Sequence, residues 1–397
     1  MKSLVWLTHS FRTQSKIFAR GCSCNEVSFV YYSPYYYDQD YAMMYKKTSI
    51  EQEYWYRYSV SSFKLILEQS GLDLFIFTEE DPIAHINRLV EKHGYEKILI
   101  DKPLFNFPNT IDVRKINCKV EFIDSDIYDE NCKSLDPKER VQYWLENHQE
   151  YINKVSPVFA ASNYKLLDDP YLLLDENAVL SLIEEDRTAD YFIHTMMNYY
   201  KTHDKIDGTF NISGHLQHGQ VDGGTLILQI LLASLYDRLA KKKWHLKPLE
   251  QFAKREIAII KARSSGLQPY DDVVEWSEIL LDTSSHFHLT EVEYRQEFSR
   301  EEVLNAKTGD KDLDKVLEMG RSKNWLPYPL RKWLALEIYV GMGGGPSAME
   351  TLLDYFHYFF MDGQSPSTVV NCIEILNLKD GELETIDKDK IFNQYNL

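Results

Sequence analysis

The feature that most constrains this chain is a change of hydrophobic period part-way along it. Over the first ~125 residues, short apolar runs alternate with stretches of helical spacing. Leu4–Leu7, Val27–Tyr32, Leu72–Phe77, Lys97–Ile100 and Val120–Ile123 read as strands. Between them, Ile50–Gln69 and Pro82–His93 read as helices, the second with Ile83, Ile86, Leu89 and Val90 on one face. Strand–helix–strand at this spacing predicts a parallel sheet covered on both faces. Such sheets hold ligands at the carboxyl ends of their strands, so Thr8-His9-Ser10-Phe11-Arg12 is expected where a ligand can bind.

From about Met196 onward the strand signals vanish. Leu226–Leu239, Pro248–Arg263, Asp312–Arg321, Leu330–Val340 and Ser347–Phe360 show helical periodicity. The expected fold class is therefore α/β followed by all-α: a doubly wound parallel-sheet domain (1–125), an acidic connector with helices (126–195) and a larger helical domain (196–397). In the connector, Asp136-Pro-Lys-Glu139 reads as a helix start, with a capping acid and proline in the first turn.

Charge and cysteines narrow the function classes. The net charge of −17 repels phosphate at long range, so duplex binding needs a local basic groove. Residues 121–190 carry 17 Asp/Glu against 6 Lys/Arg, which suggests a solvated connector. The 5 cysteines (Cys22, Cys24, Cys118, Cys132, Cys372) are irregularly spaced and read as reduced thiols. No apolar signal core opens the sequence, and the longest apolar run, near Leu226–Leu235, contains Gln229 and Ser234. A buried helix is expected there, no membrane span, and a cytoplasmic location. The Tyr-rich patch Tyr31-Tyr32-Ser33-Pro34-Tyr35-Tyr36-Tyr37 reads as a strand end running into a loop. The pairs His215/His218 and His286/His288 read as solvated or satisfied histidines in preference to metal ligands.

Leu4–Arg12, Gly208–Gly219, Leu249–Glu256, Thr308–Arg331 and Tyr358–Gln364 together resemble segments of the DNA photolyase/cryptochrome family. Leu4–Arg12 is similar to that family's first strand and basic turn, with Ser10 where an acid is usual. Gly208-Thr209-Phe210-Asn211-Ile212-Ser213-Gly214-His215-Leu216-Gln217-His218-Gly219 resembles its flavin-phosphate segment; Thr209, Ser213, Leu216 and Gly219 fall in register, while Phe210 and Asn211 replace a Ser and an Arg. Small hydroxyl residues ahead of a helix present donors to an anion. Leu249–Glu256 is similar to a family helix in which Gln251 replaces a lesion-contacting Glu and Lys254 a Trp, while Arg255 and Glu256 align. Thr308, Gly309, Asp314, Trp325 and Arg331 match a further signature at the family's spacing; there Pro327-Tyr328-Pro329 replaces His-Asn-Arg, putting Tyr328 at the flavin-facing Asn. Tyr358–Gln364 resembles the family's Asp-Gly-Asp turn, with Asp362 able to pair Arg331. The relay Trp nearest the flavin is replaced by Cys372, Gly341–Pro346 falls where the middle relay Trp lies, and the family's substrate-contacting tail has no counterpart.

The resemblance implies a photolyase N-terminal-like domain and a helical FAD-binding-like domain. It assigns FAD contacts to Tyr200, Thr209, Phe210, Asn211, Ile212, Ser213, Gln251, Arg255, Tyr328, Arg331, Asp362, Gly363 and Gln364, and names no catalytic residue. FAD is the implied cofactor, with no antenna chromophore specified. The implied partners are damaged or single-stranded DNA, or a protein. Three functions stay open: a divergent photolyase-like flavoprotein without ordinary pyrimidine-dimer repair, a cofactor-free scaffold that binds a partner, and a working DNA repair lyase. A nucleotide-binding enzyme using only the α/β half would need a Gly-rich or His-x-Gly-His motif, which Thr8–Arg12 does not supply.

Overall fold

The computed structural model describes residues 2–12, 15–32, 50–77, 81–105, 107, 111–147, 212–217, 219, 223–236, 245–265, 297–363, 365–375, 386–395 and 397. The Ser33–Tyr37 part of the aromatic patch and His218, His286 and His288 lie outside them, as does the side chain of His215.

The first half is a five-stranded parallel sheet of order β3-β2-β1-β4-β5. Its strands are β1 (Lys2–Leu7), β2 (Glu26–Tyr32), β3 (Leu74–Phe77), β4 (Lys97–Asp101) and β5 (Lys119–Ile123). The helices α1 (Lys16–Cys22), α2 (Ile50–Gln69) and α3 (Pro82–His93) connect them. Strand β1 lies at the centre, in register with β2 (Leu7 opposite Tyr31) and β4 (Trp6 opposite Ile100). Its apolar run splits between two cores. Val5 and Leu7 join Phe29, Tyr31 and Phe63 on one face, while Leu4 and Trp6 join Ile83, Ile86 and Ile98 on the other. A strand covered on both faces has no polar alternation to show, which is why the run reads as continuous.

Third-strand pairing starts at Leu74, two residues later than the apolar run suggested. Gly71, at φ 73°, turns α2 towards β3, and the Leu72 amide donates back to the Leu67 carbonyl. Helix α3 begins as its sequence asks: Asp81 accepts from the Ala84 amide at 2.9 Å, Pro82 occupies the first turn, and Gly94 ends it at φ 68°.

The remainder is helical. Residues 137–147 form a helix capped by Asp136, which accepts from the Lys138 and Glu139 amides at 2.8 and 2.9 Å. There follow α4 (Ile212–Gln217), α5 (Gly223–Tyr236), α6 (Leu246–Ser265), α7 (Arg300–Asn305), α8 (Lys311–Lys323), α9 (Tyr328–Gly341), α10 (Gly345–Phe359), α11 (Pro366–Ile375) and α12 (Lys388–Tyr395). Helix α9 starts two residues before the periodicity, because Pro327 caps it and Pro329 sits in its first turn, where no intrahelical N–H is needed. Between α9 and α10, Gly343, Gly344 and Gly345 all have φ of 73–85°, which only glycine adopts cheaply.

The two halves share a core. Leu104, Phe105 and Ile127 from the sheet side pack in one cluster with Trp333, Tyr339, Tyr355, Phe360 and Phe392 of the helical half. The acidic stretch after β5 is accordingly not a purely solvated connector. Asp124, Asp126 and Asp129 are buried, and the first two face arginines of α6. Charge counting along the chain cannot see partners that arrive some 130 residues later. Among the described residues, no helix is long and apolar enough to cross a membrane.

Candidate functional site

The strongest constellation in the helical half is built on α9 and the turn after α10. Arg331 lies in the first turns of α9 and sends Nη1 and Nη2 to Asp362 Oδ2 and Oδ1 at 3.1 and 3.0 Å. Its Nε donates to the Leu326 carbonyl at 2.7 Å. The guanidinium also lies over the rings of Phe360 and Trp325, at 4.6 and 5.7 Å. A two-pronged pair of this kind fixes direction as well as charge. Asp362 is held in turn: its backbone carbonyl accepts from Thr368 Oγ1 at 2.8 Å, and a side chain at Gly363 would meet the Phe356 carbonyl at 1.9 Å. One turn beyond Thr368 on α11 lies Cys372, fully buried. Burial pushes its thiol up to about 12; the Arg331 charge opposes this and the Asp362 carboxylate adds to it. Cys372 is thus a protonated, apolar-like residue beside the ion pair.

Helix α4 approaches the same turn. A Cβ at Gly214 would lie 3.1 Å from Met361 Cβ, so the Ser213–Gly214 step and the Arg331–Asp362 pair are neighbours. They are more than 100 residues apart in sequence. Ser213 is half-buried. Tyr200, Thr209, Phe210, Asn211 and Gln364 lie outside the described residues, as does the side chain of Ile212.

Other assigned residues do not join this group. Tyr328 is 54 % exposed on the first turn of α9, and Gln251 is exposed on α6. Arg255 reaches into the seam between sheet and helices, where its Nη2 donates to Asp126 Oδ1 at 2.8 Å. His9 Nε2 makes a short contact with the other Asp126 oxygen. Burial alone would raise the Asp126 carboxyl, but His9 and Arg255 reverse this and hold it well below the usual range. Next along α6, Glu256 accepts from Arg140 Nε at 2.8 Å and from the Tyr128 amide at 2.6 Å. Its carboxyl is nonetheless pushed up to about 7 by complete burial, with Arg140 pulling it down.

The same seam occupies the place expected for a ligand of the sheet. The order β3-β2-β1-β4-β5 reverses between β1 and β4, and Asp101 ends β4 there. Asp101 accepts from the amides of His9 and Ser10 at 3.3 and 3.0 Å and from Ser10 Oγ at 3.0 Å. Gly219 covers the turn: at φ 70°, its missing Cβ would fall 1.5 Å from the His9 carbonyl oxygen, and its own carbonyl accepts from Arg12 Nη1 at 3.3 Å. His9, Ser10, Phe11 and Arg12 are all buried. Among the described residues the turn is closely packed and joins the sheet to the helical half. His9 was marked only as part of the turn after β1, and Asp101, Asp126 and Arg140 carry no local signature that would have singled them out. A cavity of about 480 Å³ does exist at the opposite, amino-terminal ends of the strands, between Lys2, Cys22, Cys24, Glu26 and Leu72. No group of His, Cys, Asp and Glu suited to a metal occurs among the described residues.

No family profile matches the sequence, and no curated protein does. Solved structures do match. A class III photolyase from Agrobacterium tumefaciens is similar over 100% of this chain and 84% of its own, with a TM-score of 0.66 at 12% identity. A cryptochrome from Synechocystis sp. PCC6803 matches over 100% and 86%, with a TM-score of 0.69 at 16% identity. An archaeal photolyase from Sulfolobus tokodaii, solved with two FAD molecules, matches over 98% and 87%, with a TM-score of 0.59 at 11% identity.

Proposed function

We propose that this chain, which has the photolyase/cryptochrome fold, is a flavoprotein that binds FAD in its helical half and uses it for something other than ordinary pyrimidine-dimer repair. The observation that carries the reading is the approach of Gly214 to Met361, the residue next to Asp362 of the Arg331–Asp362 pair. The groups present fit the cofactor. Gly214 is buried against Met361, Ser213 beside it carries a half-buried hydroxyl of the kind that can donate to an anion, and Arg331 with Asp362 brings charges of both signs to the same turn. Bound FAD would supply visible-light absorption and electron transfer. The chain's own residues would hold and orient it: Asp362 by its locked turn, Arg331 by its stacked guanidinium.

Against dimer repair stand the uncharged, exposed Gln251, the exposed Tyr328 and the protonated thiol of Cys372. The net charge of −17 adds long-range repulsion from any DNA strand. A visible spectrum of the purified protein, with released flavin measured after heat denaturation, tests the reading. Bound flavin that falls in Ser213→Ala and Asp362→Asn is expected. A colourless protein that takes up no added FAD would end it. In that event the second reading, a scaffold without cofactor that binds a partner, is favoured by one feature. The Arg331–Asp362 pair is satisfied internally by Leu326, Phe360 and Trp325, and serves packing without any ligand. Dimer-containing single strands bound no better than undamaged strands at moderate salt would separate both readings from repair.

A further inference from the structure

On the sheet face away from α2, the carboxyl ends of β1, β2 and β3 carry a compact aromatic group. Trp6 and Tyr32 meet edge to face with ring centroids 5.4 Å apart, and Trp6 also lies 5.0 Å from Phe107. Phe77 packs on Tyr32 at 5.6 Å and on His85 at 4.3 Å. Trp6 and Tyr32 are buried at 3% and 6% exposure, whereas His85, on α3, is only half-buried. Tyr32 Oη lies 3.0 Å from His85 Nδ1, with the two rings nearly perpendicular.

The chemistry of this contact is specific. A phenol that loses an electron becomes a strong acid, so inside an apolar wall it is oxidised readily only if a base takes its proton at once. A neutral imidazole with Nδ1 unprotonated is such a base, because free phenol holds its proton to about pH 10 and imidazole accepts one below about 6.5. Most buried tyrosines find a carbonyl or hydroxyl partner, which cannot accept a proton in this way. The arrangement also has a direction. It runs from a buried indole, through a buried phenol, to an imidazole that reaches the surface.

We propose that Tyr32 and His85 form a redox-active tyrosine–histidine pair, the terminal site for electron holes that reach the sheet through Trp6. In the step, Tyr32 gives one electron to a one-electron oxidant of the strength of an indolyl radical. The Oη–H bond breaks and its proton moves to His85 Nδ1. The products are a neutral Tyr32 phenoxyl radical, a His85 imidazolium and the reduced oxidant. Reduction by one electron returns the proton and restores both residues. The pair needs no bound flavin, so it stands apart from the function proposed above.

Photogenerated ruthenium(III) tris-bipyridine, with persulfate as the sacrificial acceptor, supplies holes to the full-length protein at neutral pH, and freeze-quenched electron paramagnetic resonance reads where they settle. The expected result is a hydrogen-bonded tyrosyl signal that is lost in Tyr32→Phe, a variant that keeps the ring packing. In His85→Gln the yield of that signal should fall and its hydrogen-bond signature shift, and in Trp6→Phe it should form more slowly. Near-ultraviolet circular dichroism confirms that each variant is folded. The same signal in Tyr32→Phe, or none in the parent, overturns the proposal. An unchanged signal in His85→Gln overturns the proton transfer, and unchanged kinetics in Trp6→Phe remove the indole from the route.

Discussion

The seam around His9, Asp126 and Arg255 and the turn around Arg331 and Asp362 use the same chemistry for different ends. Both bury arginine against carboxylate. In the seam every charge meets another element of the fold: Asp126 has His9 from the sheet and Arg255 from α6, and Asp124 has Arg263 at 2.6 Å. At the turn, one ion pair is held by rings and a single carbonyl, with a thiol beside it. The seam is a joint whose residues specify how sheet and helices meet. At the turn both partners come from the helical half, so the pair braces α9 against the chain that leaves α10. The difference teaches that one ion pair can lock two layers together or stiffen a single one.

The sharpest break of this comparison is Arg331→Met. It leaves Asp362 buried without its partner, and unfolding free energy should fall by about 3–5 kcal/mol. Urea titration measures it. A loss below about 1 kcal/mol would mean that the pair does not anchor the turn.

Acidity separates the two regions next. Glu256 in the seam has its carboxyl raised to about 7 from 4.5, so the folded chain holds a proton there that the unfolded chain releases. Stability contributed by this group is present at low pH, falls as pH rises from about 4.5 to 7, and is flat above; the full change is on the order of 3 kcal/mol. Denaturation of the parent and Glu256→Gln across that window shows it, because the variant should lack this component of the slope.

Gly219→Ala tests the joint sterically. An alanine at φ 70° with its Cβ directed at the His9 carbonyl should cost about 2–3 kcal/mol, from the left-handed backbone and from overpacking. Retained flavin with a lowered melting temperature would place its effect in the seam alone. The smallest change is Tyr328→Ala. This side chain is 54 % exposed, and stability should move by less than about 0.5 kcal/mol. A loss of bound flavin in that variant, without loss of stability, would return Tyr328 to the cofactor site.

Much of the architecture was legible because it is local. The continuous run Leu4–Leu7, the Asp81–Pro82 start of α3 and the Asp136 cap each express their geometry within a few residues. Arg331 and Asp362 were legible as a pair because family spacing, not periodicity, pointed to them. The seam was not legible. His9 and Asp126 are 117 residues apart, and Arg255 a further 129, so nothing near any of them reports the partner. The close packing at Thr8–Arg12 was not legible for the same reason, since the residue packed on the turn is Gly219.

That glycine has a consequence for how the chain is made. The turn after β1 is finished by a residue 207 positions further on. At the usual pace of synthesis, about 5–20 residues per second, roughly 10–40 s separate the two on the ribosome. In the later part of that interval, after β5 is made, the sheet has its strands but still lacks the cover that Gly219 places on the turn at His9 and Phe11. The half that is written first is completed last.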